Sequence, residues 1–180
     1  AVSDVVEPLM SEVDGPSERS MEDFVSEQAE FLSQYQNDAY AERYRAFVSK
    51  VSEVEAAATP GTDGLTKAVA RYYFKLLAYK DEYEVARLYS NGQFLGRLER
   101  QFQGDYQLKF HLAPPLIARK DPDTGELKKR EYGGWVMKLF PVLASMRGLR
   151  GSIFDIFGWT EERRCERALI TEYEVLVDHL

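Results

Sequence analysis

Sulfur is scarce in this chain: 180 residues carry one cysteine, Cys165. A single thiol excludes an internal disulfide framework, a cysteine-built zinc site and an iron–sulfur cluster held by this chain alone. Histidine occurs only twice, and no His-x-x-x-His pair exists. Glycine-rich phosphate loops and G-x-S-x-G elbows are also missing. No run approaches the ~20 apolar residues of a membrane span, and no basic segment followed by an apolar core opens the chain. Basic excess is missing too, at a net charge of −7. Nucleic acid and anionic membrane surfaces are therefore not expected as partners. The lone thiol and absent leader lead to the expectation of a cytoplasmic protein. Opening at Ala1 rather than Met suggests a processed product or an excised piece.

What is present is a helical pattern with uneven charge. Residues 1–60 hold 13 acids against 4 bases, and the remainder is near neutral. Residues 1–19, with Pro8, Gly15 and Pro16, read as a leader or linker. Residues 20–58 read as an acidic helical hairpin. Ser20 caps its first helix, Asn37-Asp38 breaks it, and apolar residues recur at three- and four-residue steps. Thr59-Pro60-Gly61-Thr62-Asp63-Gly64 marks the boundary to a main domain at 65–180. There, Leu65–Tyr79 is apolar nearly all round, as in a central helix. Lys80-Asp81-Glu82 interrupts it, and short helices follow to Gly104. Tyr106–Leu112 alternates with period two until Pro114-Pro115 halts it, and Leu116–Arg119 and Leu127–Tyr132 flank the turn Asp121-Pro122-Asp123-Thr124-Gly125 as a hairpin, giving a small antiparallel sheet within 105–132. Trp135–Arg147 returns to helix, with a kink expected at Pro141. Thr160 caps a last helix whose inward stripe is Cys165, Ala168, Leu169, Tyr173, Leu176 and Leu180. The fold class is mainly α (α+β): a multi-helix body, a small antiparallel hairpin and an N-terminal helical hairpin.

Five features could carry function. In Tyr79–Arg87, the polar residues Lys80, Asp81, Glu82, Glu84 and Arg87 crowd beside an apolar helix. They could grip a partner or an anion, but pairing within the fold is favoured, because charges beside apolar packing are normally paired. Gly148–Gly158 combines three glycines with Arg150, Phe154 and Asp155; it is either a docking loop or a packed omega-like loop. His111 could face a cleft and move a proton near neutral pH, although a half-exposed strand histidine is the plainer role. Cys165, within an apolar stripe, reads as a buried inert thiol rather than an activated one. The eleven tyrosines could line an aromatic pocket, but packing helix on helix, with hydroxyls reaching the surface or an interface, suits them better.

The run Ala78-Tyr79-Lys80-Asp81-Glu82-Tyr83-Glu84-Val85-Ala86-Arg87-Leu88-Tyr89 and the later Phe110-His111-Leu112-Ala113-Pro114-Pro115-Leu116 resemble the C-terminal region of fused indolepyruvate ferredoxin oxidoreductases. Gly148-Leu149-Arg150-Gly151, Phe154-Asp155, Phe157-Gly158 and Glu162–Arg167 continue the resemblance, which spans roughly residues 20–180. It implies a parent enzyme that decarboxylates aryl 2-oxoacids with thiamine diphosphate, magnesium and iron–sulfur clusters, all expected in other domains. No cofactor is expected in this chain, and no catalytic residue or metal ligand carries over. The expectation is an accessory, non-catalytic C-terminal domain whose partners are the catalytic domains of the parent oxidoreductase, with self-association as a further option. The alternative is a self-contained module binding an aryl acid or acyl-CoA between the aromatic helices and the His111 strand. Arg87, Arg150 and Lys109 would hold the anion. A weaker idea is a hydrolase pairing His111 with Asp81 or Asp155.

Overall fold

Local capping starts most of the helices in the computed structural model, which describes residues 20–104, 106–112 and 130–180. The Ser20 hydroxyl accepts from the Asp23 amide at the start of α1 (Met21–Tyr35). Asn37 accepts from Tyr40 at the start of α2 (Asp38–Ala58). Each bond satisfies one of the amides that a helix N-terminus leaves without an internal partner. Then come α3 (Gly64–Leu77), α4 (Glu82–Ser90), α5 (Gln93–Gln101), β1 (Lys109–Leu112), β2 (Arg130–Gly133), α6 (Phe140–Ser145) and α7 (Glu161–Asp178). Two 3₁₀ segments, Gly134–Lys138 and Met146–Leu149, flank α6. The molecule is mainly α, with one two-stranded antiparallel sheet among the described residues.

Two apolar clusters organise these elements. The larger joins Phe24, Leu32, Tyr35, Tyr44, Val48 and Val51 of the hairpin to Val69, Tyr73, Phe74 and Leu77 of α3 and Ile170 of α7. The turn at Thr59–Gly64 thus lies between helices that share one core. The smaller cluster holds Ala86 and Tyr89 of α4, Phe110 of β1, Val136, and Phe140 and Ala144 of α6. In the sheet, Phe110 faces Tyr132 and His111 faces Glu131.

Several expectations need correction. Pro141 does not kink a long helix; it sits in the first turn of α6, where its missing N–H costs nothing. Tyr72 of α3 is exposed, so that helix buries one broad face rather than all sides. Of the inward stripe expected for the last helix, only Tyr173 packs on the core: Cys165, Ala168, Leu169, Leu176 and Leu180 are exposed, while Arg163 and Ile170 are buried. Ile170, Tyr173 and Val177 form the face that packs on the core, while Glu174 receives hydrogen bonds from Arg43 and Tyr73 and Lys50 pairs with Asp178, so apolar and polar contacts together set the rotation of α7. The leader at 1–19, the strand expected at 116–119 and the turn at 121–125 lie outside the described residues; Arg130–Gly133 pairs with Lys109–Leu112.

The tyrosines do pack helix on helix, but several hydroxyls point inward. Tyr44 donates to the Ala70 carbonyl at 3.0 Å, Tyr40 to Leu77 at 3.1 Å and Tyr35 to Tyr79 at 2.8 Å. The last two bind carbonyls at or just beyond the end of α3, where helical partners run out. Burial pushes all three phenols well above the ordinary tyrosine range, so they are neutral donors at physiological pH.

Candidate functional site

The break between α3 and α4 places Asp81 at the N-cap of α4, where its Oδ1 accepts from the Glu84 amide at 2.8 Å. The same carboxylate takes a two-pronged contact from Arg150: Nε to Oδ2 at 2.5 Å and Nη2 to Oδ1 at 2.8 Å. Arg150 Nη1 donates to the Tyr35 carbonyl at the end of α1, 2.5 Å away, and the guanidinium lies 3.6 Å from the Tyr35 ring centre. One buried arginine therefore ties together the end of α1, the start of α4 and the 146–150 segment. Burial alone would lower the Arg150 pKa, but the Asp81 hydrogen bond and nearby charges raise it overall, so the guanidinium keeps its charge.

Two further contacts surround this anchor. Arg87 pairs with Glu84 through Nε and Nη2, each at 2.8 Å, and lies 5.0 Å from the Phe31 ring centre. This pins α4 against α1. Burial raises the Glu82 carboxyl above its ordinary range, and Arg163 only partly offsets this from 3.9 Å. Lys80 is exposed.

Asp155 organises the following loop. Its Oδ2 accepts from the Gly151 amide at 2.8 Å; its Oδ1 accepts from Phe157, Gly158 and the Tyr83 hydroxyl at 3.0–3.2 Å. Phe157 is buried against Tyr83, with ring centres 5.2 Å apart. The loop turns its other large apolar residues outward. Ile153 is 76%, Phe154 68%, Ile156 42% and Trp159 62% exposed. A carboxylate satisfied by three backbone amides holds the loop's shape, and that shape presents an apolar edge to solvent.

The fold thus gathers Asp81, Glu84, Arg87, Arg150 and Asp155 around α4 and leaves Lys80 and Phe154 at the surface. His111 is exposed on the sheet, and among the described residues neither Asp81 nor Asp155 bonds to it. The three cations of the small-molecule reading are each paired separately: Arg87 with Glu84, Arg150 with Asp81 and Lys109 with Glu131. Among the described residues, no group of three or more His, Cys, Asp or Glu side chains is placed to hold a metal ion. No described helix is long and apolar enough to cross a membrane.

Sequence reading missed two residues. Glu55 of α2 is buried and caps α3 across the turn, accepting from the Leu65 and Thr66 amides at 2.9 and 2.7 Å and from the Thr66 hydroxyl at 2.6 Å. Nothing in its helical spacing marks it, although Asp63, the residue at the N-cap of α3, makes no such side-chain bond. Arg167 donates from Nη2 to the Gly158 carbonyl at 2.6 Å, so α7 holds the far end of the loop.

Residues 21–180 match a protein family described as a family of unknown function, DUF6537. The chain belongs to that family. No curated protein and no solved structure matches it. The matched DUF6537 segment contains both the Asp81–Arg150 anchor and the Asp155 loop.

Proposed function

We propose that this DUF6537 chain is an accessory, non-catalytic C-terminal domain of an indolepyruvate ferredoxin oxidoreductase-like enzyme. The Ile153–Trp159 edge docks on that enzyme's catalytic portion. The observation carrying this reading is the contrast within one loop: a buried, hydrogen-bonded Asp155 beneath exposed Ile153, Phe154 and Trp159. Aromatic anchors held in shape before binding lose little freedom on association, and such residues dominate interface energy. The catalytic portion is the chosen occupant because the separated motifs that resemble the fused enzymes include both this loop and its anchor. In the parent enzyme, thiamine diphosphate, magnesium and iron–sulfur clusters belong to that other portion. This domain's task is to cover and stabilise its surface.

The test is association in trans. The 180-residue chain is mixed with the thiamine- and cluster-binding portion of an indolepyruvate ferredoxin oxidoreductase and followed by sedimentation velocity. The expected result is a complex that F154S/W159S weakens at least tenfold, while the free domain's stability is unchanged. Oxidative decarboxylation of indolepyruvate by the isolated chain, or a complex indifferent to both substitutions, would overturn the reading.

A further inference from the structure

A cavity of about 310 Å³ lies where the α1–α2 turn, the Arg150–Gly151 segment and α7 meet. Its volume falls at the lower end of the range for small-ligand sites. Arg43, Arg150 and Arg167 line it with Tyr40, Tyr79 and Thr171, and no carboxylate is in the lining. Two of the arginines have acidic partners behind the wall, Glu174 for Arg43 and Asp81 for Arg150. Arg167 has none: among the described residues it forms no ion pair, and its Nη1 is buried without a hydrogen-bond partner. Its Nη2 donates to the neutral Gly158 carbonyl, and the neutral Tyr79 hydroxyl is a second hydrogen-bonding neighbour of its side chain.

Guanidinium groups drawn in from solvent are normally paired with an acid, and among the described residues Arg167 lacks one. An oxyanion fits this site: it would meet the Arg167 guanidinium and face the positive potential of three guanidinium groups. Arginine's fixed fork matches carboxylate and phosphate oxygens. We infer that the cavity between the α1–α2 turn and α7 binds one small oxyanion, a carboxylate or a phosphate, through Arg167 with Arg43 and Arg150 beside it. The site is distinct from the Ile153–Trp159 edge and does not depend on the docking proposal.

Binding is measured by calorimetry on the full chain with inorganic phosphate and with benzoate, each against sodium chloride at matched ionic strength. The expected result is saturable one-to-one binding of at least one of them; which one binds distinguishes phosphate from carboxylate chemistry. R167Q should weaken it at least tenfold, the loss of one charge-assisted hydrogen bond. R45Q, which removes an exposed charge elsewhere on α2, should change it less than twofold. Arg167 also holds the loop, so a second readout uses the unaltered protein: the Arg167 side-chain ¹⁵N resonance should shift on titration. Overturning results are no saturable binding of either anion above the chloride control, an R167Q affinity equal to that of the parent, or an Arg167 resonance that stays in place.

Discussion

Arg150 and Asp81, 69 residues apart in sequence, meet as a buried ion pair through two hydrogen bonds of 2.5 and 2.8 Å, with side chains only 2% and 3% exposed. Removing one partner strands the other charge inside, which costs about 3–5 kcal/mol. Arg150→Met and Asp81→Asn should each lower the unfolding free energy by roughly that amount. The double variant should lose less than the sum. Urea titration of the four proteins checks this, and additive losses would show that the pair is not coupled.

Gly158 has little room for a side chain. A Cβ there would lie 2.4 Å from Asp155 Oδ2 and 2.6 Å from its Cγ. Gly158→Ala should therefore destabilise the protein by about 1–3 kcal/mol. Asp155→Ala should do so by a similar amount, leaving three amides and the Tyr83 hydroxyl without their acceptor. Once Asp155→Ala has cleared the space, the added Gly158→Ala should cost much less. Thermal unfolding of the single and double variants reads this out, with amide exchange at 151–158 locating the loosening.

Glu55 makes stability depend on acid. The hydrogen bond from the Thr66 hydroxyl, with the Leu65 and Thr66 amides, holds its carboxyl below the ordinary glutamate range. A carboxylate whose folded pKa is depressed contributes stability above its unfolded value, about 4.3, and loses it as the pH falls through the folded value. Glu55→Gln should thus be less stable than the parent at pH 7, with the difference shrinking as the pH drops below about 4. Denaturation midpoints from pH 7 to pH 3 measure it; a gap that stays constant would exclude the charge as the cause.

Cys165 is exposed on α7. It should react with a thiol reagent such as Ellman's reagent in native buffer, without the lag that a buried thiol imposes while it waits for unfolding. A rate that rises steeply with denaturant would place it inside.

Much of the helical framework was legible in the sequence. Ser20, Asn37 and Thr160 cap their helices through bonds to the amide three residues ahead, and such contacts are written in local spacing. Tyr79–Arg87 and Gly148–Gly158 could likewise be singled out, because polar residues beside apolar helices and glycines among phenylalanines stand out locally. Their connection could not. Arg150 has Asp155 five residues away, yet it bonds Asp81, while Asp155 takes backbone amides and the Tyr83 hydroxyl.

The sequence by itself determined the helix starts at Ser20, Asn37 and Thr160 and the mainly α class, because these follow from periodicity and from hydrogen bonds spanning three residues. Only the tertiary structure decided which charges pair, that Glu55 caps a helix other than its own, that α7 turns Cys165 outward, and that Arg167 is left without an acid. Those outcomes depend on which segments the folded chain brings back within 3 Å of each other. A buried charge takes the nearest partner in space rather than in sequence.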